Sequence, residues 1–137
     1  MAPLPFGPLK APSLDDVAAI GTASLSNLPA AFISQIGEIE IRVDDFPTQE
    51  VLDALGIESE FDLLGLFEGI GLAHAGASGA TGLMPNRVWL YRRPILDYWA
   101  EHEETLEDIV THVLVHEIGH HFGLSDDDME AIEAASD

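Results

Sequence analysis

The string His116-Glu117-Ile118-Gly119-His120-His121-Phe122-Gly123-Leu124-Ser125-Asp126 reads H-E-x-x-H-x-x-G-x-x-D. Two histidines four apart on a helix project from one face, about 40° apart around the axis. That spacing suits His116 and His120 as ligands of one zinc ion, Zn2+. Glu117, between them, is the residue type that takes a proton from water activated by the metal. Gly123 tolerates positive φ, so the chain can turn back there and return Asp126 toward the histidine face as a third ligand. Asp127 and Asp128 are alternatives, though both are better placed to satisfy the first turn of a following helix. The chemistry implied is hydrolysis.

The other histidines read differently. His112 lies one turn before His116 on nearly the same face, but Glu117 is correctly placed only for the 116/120 pair. His112 is therefore expected to pack or to support a ligand. His121 points about 100° away from His120 and is a candidate for orienting substrate or for packing. His74 falls in a glycine-rich loop, and His102 is expected to be exposed.

Composition narrows the setting. A chain of 137 residues fits one domain, and the absence of cysteine leaves only His, Asp or Glu to hold a metal. The net charge of −20 comes from 25 acidic and 5 basic residues. Such a surface repels nucleic-acid phosphates and anionic headgroups and attracts cationic partners. The expected partner is a peptide or protein substrate, with no nucleic acid and no membrane. No targeting segment or bilayer-spanning run is visible, so a cytoplasmic location is expected. Composition sets no oligomeric state.

Elements must bring these residues together. Prolines at 3, 5, 8 and 12 predict an extended, mobile arm over residues 1–12, ahead of a single domain over 13–137. Ser13 to Asp16 is a capping-box pattern that opens a helix to about Ser26. Pro29 starts a short helix ended by Gly37. Glu38–Val43 alternates apolar and charged residues as a strand with one wet face. Thr48 caps a short helix ending at Gly56. Residues 57–72 read as a turn leading to a short strand, and 73–85 as a glycine-rich loop. Arg87–Arg92 is a clear strand stopped by Pro94, with a short helix over 95–101. Thr105 to Asp108 repeats the capping-box pattern and opens the motif helix. That helix is apolar nearly all round, as expected of one buried at the centre of its domain. Gly123 ends it, and Ser125 with Asp128 caps a last helix to about Ala135. The fold class expected is α+β: a small mixed sheet packed against helices, with the H-E-x-x-H helix buried at the centre.

H-E-x-x-H-x-x-G resembles the zincin metallopeptidases, with Asp126 where the metzincin clan has a third histidine. The chain is more closely similar to the small bacterial minimal zincins over residues 13–135. The resemblance rests on the order of elements, on Asp44-Asp45-Phe46-Pro47 after the first strand, on Arg87-Val-Trp-Leu-Tyr-Arg-Arg-Pro94, and on the motif itself. It implies a compact zincin-like domain with His116, His120 and Asp126 holding zinc and Glu117 as general base. It also implies that the strand before the motif helix offers an edge to extended substrate. Val88, Leu90, Tyr91 and Arg92 are the candidates for this, with His121 beside them. Tyr91, Arg92 and Arg93 are candidate oxyanion donors. The metzincin Met-turn has no counterpart, and Met129 is expected to pack the last helix.

The activity expected is peptide or amide hydrolysis by zinc-activated water. Two alternatives stand beside it. One is a non-catalytic zinc-containing peptide-binding module, motivated by the small size. The other is a metal-dependent endoribonuclease, which the charge and Glu117 weigh against.

Overall fold

The computed structural model describes residues 5–69 and 86–136. The glycine-rich loop and His74 lie outside the described residues. The elements run α1 (Leu14–Ser26), α2 (Ala30–Ile36), β1 (Ile39–Asp44), α3 (Gln49–Leu55), a 3-10 turn (Glu60–Asp62), β2 (Gly65–Glu68), β3 (Asn86–Tyr91), α4 (Arg92–Glu101), α5 (Leu106–His121) and α6 (Asp126–Ala135). This is the α+β arrangement expected, a small mixed sheet against helices.

Local chemistry accounts for most boundaries. Ser13 Oγ accepts the Asp16 N–H at 3.1 Å and Asp16 Oδ2 accepts the Ser13 N–H at 2.9 Å, a complete capping box on α1. Thr105 supplies only half of the pattern on α5, accepting the Asp108 N–H at 3.1 Å. One boundary differs from expectation. Pro94 does not stop the β3 region short of a helix; it lies inside the first turn of α4, which begins at Arg92. Proline is tolerated there because the first-turn N–H groups have no partner within the helix.

The sheet has the order β1-β3-β2, with β1 parallel and β2 antiparallel to β3. Its register is pinned on one face by Arg87, whose Nε donates to Glu40 at 3.3 Å and Nη1 to Glu68 at 3.1 Å. Both acids are its cross-strand neighbours. On the opposite face Val88 and Leu90 are fully buried among the helices. There they join Val17 of α1 and Ile109, Val110, Leu114 and Ile118 of α5 in one core. α5 is central, as its composition predicts. One stripe of it stays open, and that stripe carries His112, His116 and His120. Among the described residues no single helix is long and apolar enough to cross a membrane.

Candidate active site

The end of α5 sets the site. Gly123 has φ 73°, and the Leu124 N–H reaches back to Gly119 O at 2.9 Å while the Gly123 N–H reaches His120 O at 3.2 Å. These two bonds close the helix in a Schellman turn, which needs a residue at positive φ. The turn delivers Ser125 as N-cap of α6. Ser125 Oγ accepts the Asp128 N–H at 3.1 Å and Asp128 Oδ2 accepts the Ser125 N–H at 3.3 Å. Asp128 is thereby committed to capping. Asp126 and Asp127 stand exposed in the first turn of α6.

His112, His116 and His120 form a row one helical turn apart. Ring centroids are 3.9 Å apart for the first pair and 5.8 Å for the second, whose rings stand nearly perpendicular. Glu133, from α6, joins the row: Oε1 lies 2.8 Å from His112 Nδ1 and Oε2 lies 3.5 Å from His116 Nε2. One donor atom from each of His112, His116 and Glu133 lies within 4.8 Å of the others, a spacing able to hold a metal ion. His120 and Asp126 stand outside that group. Burial holds the His116 imidazole below its ordinary pKa, with His112 and His120 acting in the same sense and Glu133 against it. Neutral imidazole is the form a metal binds. The donors on offer are nitrogen and carboxylate oxygen without sulfur, a set that fits zinc.

Glu117 sits on the side of α5 facing β2. The two elements touch so closely that a β-carbon on Gly65 would lie 2.5 Å from Val113 Cγ1 and 3.7 Å from Glu117 Cγ. Burial pushes the Glu117 carboxyl up, while the charge of His120 and a bond from the Phe67 backbone N–H act to lower it. A carboxylate with raised basicity, next to His116, is equipped to accept a proton. Tyr91, nearby, is pushed up to about 12 by burial and by the charges of Asp44, Glu68 and Glu117, so its hydroxyl keeps its proton.

A cavity of about 330 Å³ opens beside these residues. His116 and Glu117 lie at one side of it. Leu63, Leu64, Ile109 and Val113 supply apolar wall, and Asp62, Gly65, Tyr98, Glu104 and His112 complete the lining.

The structure redistributes the residues expected to meet substrate. β3 is the central strand, so the backbone of Val88 and Leu90 is paired on both sides and their side chains are fully buried. Among the described residues, the sheet edge beside Glu117 belongs to β2, not to Val88–Arg92. Arg92 points elsewhere, donating from Nε to Pro12 O at 2.6 Å and from Nη1 to Asp45 Oδ1 at 3.0 Å. His121 stacks on Phe67 with centroids 4.1 Å apart. Glu133 does not stand out by motif, although the sequence carries a signal for it. Glu133 follows the buried Met129 by four residues, which places it on the inner face of α6.

Residues 36–135 match the model of a family described as zincin-like metallopeptidase. No curated protein matches the chain.

Proposed function

The chain belongs to the zincin-like metallopeptidase family, and from that premise we propose that it is a zinc-dependent peptidase whose reacting centre is built on His116, Glu117 and His120. The observation that carries the proposal is the position of Glu117. It stands on the motif helix between the two histidines, half-buried against β2.

Zinc held there would polarise the scissile carbonyl and make water more acidic. His116 and His120 would hold it together with a carboxylate from α6, and the motif spacing assigns that carboxylate to Asp126. A second reading gives the donor role to Glu133, on the strength of its 3.5 Å approach to His116 Nε2. Glu117 accepts the proton from the attacking water and passes it to the leaving amine. The outer edge of β2, unpaired among the described residues, binds the peptide as an added strand, which lays the scissile bond alongside Glu117. The acidic surface of the domain repels nucleic acid, so the partner proposed is a peptide or protein.

The test is cleavage of a defined peptide mixture by zinc-loaded protein, by its Glu117→Gln variant, and by protein stripped with a chelator. We expect Glu117→Gln to keep its zinc and lose about 10²- to 10⁴-fold in rate, a typical contribution of a general base. Equal cleavage by the variant would remove Glu117 from catalysis. Retained zinc with no cleavage by any form would make the domain a non-catalytic zinc module.

A further inference from the structure

We propose that the cavity beside His116 and Glu117 is a specificity pocket for a long cationic side chain, lysine or arginine, of the peptide substrate. This rests on the peptidase reading and deepens it.

Shape comes first. The volume of about 330 Å³ is at the small end for a ligand site and has room for one long side chain. The cavity is contiguous with the reacting centre on one side and with Leu63, Leu64 and Gly65 on the other. Gly65 begins the edge strand, and the two leucines run directly into it. A peptide added to that edge directs alternate side chains to one face of the sheet, so one of them enters the cavity.

The lining then selects the side chain. Leucine, isoleucine and valine side chains make an apolar sleeve, and two exposed acids, Asp62 and Glu104, stand on it. Lysine and arginine have the matching build, an aliphatic stem that buries against apolar surface and a charged head that stays wet. Tyr98 adds an aromatic ring to the lining, which further favours a cation. An acidic substrate side chain would meet like charge at Asp62 and Glu104.

The arginines of the protein are engaged elsewhere. Arg42 pairs with Glu40, Arg87 with Glu40 and Glu68, and Arg92 with Asp45, while Arg93 lies over the Phe46 ring. None of them lines the cavity. Among the described residues, Asp62 and Glu104 make no ion pair, so their charge remains available to a substrate.

The experiment uses the zinc-loaded Glu117→Gln protein, which holds peptide without cutting it. Capped alanine peptides carrying one arginine are compared by calorimetry with the same peptides carrying citrulline, its uncharged isostere. We expect the arginine peptide to bind about fivefold tighter, the sum of two exposed ion pairs. Adding Asp62→Asn and Glu104→Gln should bring the two peptides within about twofold. Asp15→Asn with Glu50→Gln, the same charge change on α1 and α3, should leave the difference intact. Equal affinities for the two peptides, or a difference untouched by the Asp62 and Glu104 changes, would overturn the pocket. Cleavage by wild-type protein separates this from the peptidase reading. Arginine-selective binding without cleavage keeps the pocket and removes the peptidase. Cleavage with no preference for arginine over citrulline does the reverse.

Discussion

Met129 occupies the space that a side chain on Gly119 would need: a β-carbon there would lie 2.5 Å from Met129 Sδ and 2.9 Å from its Cγ. Met129 is fully buried, so it has little room to move aside. The glycine inside the H-E-x-x-H motif is thus the seat on which α6 docks. Gly119→Ala should push α6 away and cost about 1–3 kcal/mol, as overpacking does. Because α6 carries Asp126 and Glu133, zinc affinity should fall too. Adding Met129→Ala should recover part of the stability, giving a non-additive cycle in urea denaturation. Additive costs would mean that the two residues do not press on each other.

The identity of the third metal donor is decided by comparing two residues of α6. If Asp126 is the ligand, Asp126→Ala should abolish stoichiometric zinc binding. Glu133→Gln should then lower affinity only about 10- to 100-fold, the usual effect of a group that orients a ligand. Competition against a chromophoric chelator measures both. The opposite ranking, with His112→Ala behaving like Glu133→Gln, would place the metal among His112, His116 and Glu133.

His116, Glu117 and His120 stood out in the sequence because metal and acid–base chemistry asks for fixed residue types at fixed spacing on one helix. The helix caps at Ser13 and Ser125 and the left-handed Gly123 were legible for the same reason, since each is a local rule. Strand order was not. Arg87–Tyr91 carries the more obvious strand pattern, yet Gly65–Glu68, broken up by glycines in sequence, is the edge beside Glu117 among the described residues. Which of two strands lies outside depends on long-range pairing that neither segment encodes alone. Glu133 was missed because its role depends on how α6 packs against α5, not on its own neighbours.

Arg92 provides a check on that redistribution. It ties α4 to the Pro12 carbonyl and to Asp45, and it does not line the cavity. Arg92→Ala should cost about 1–3 kcal/mol, the range for charged hydrogen bonds, in a denaturation experiment. It should leave kcat/KM for peptide cleavage within about twofold, since no transition-state contact is lost. A large fall in kcat/KM without loss of stability would return Arg92 to the substrate site.

The environment of Glu117 has a consequence in the metal-free protein. Burial raises its carboxyl above the ordinary value of 4.5, so the folded chain holds that proton more tightly than the unfolded chain does. Above the raised value both states are ionised, and the folded state bears the full cost of a half-buried charge. Below 4.5 both are protonated and the cost vanishes. Glutamine keeps the shape without the charge. Metal-free Glu117→Gln should therefore melt at a higher temperature than metal-free wild type at neutral pH. The gap should close as the pH is lowered through the carboxylate range. Calorimetric scans across that range measure it directly. A variant no more stable at neutral pH would mean that His120 and the Phe67 N–H already offset the burial of the charge.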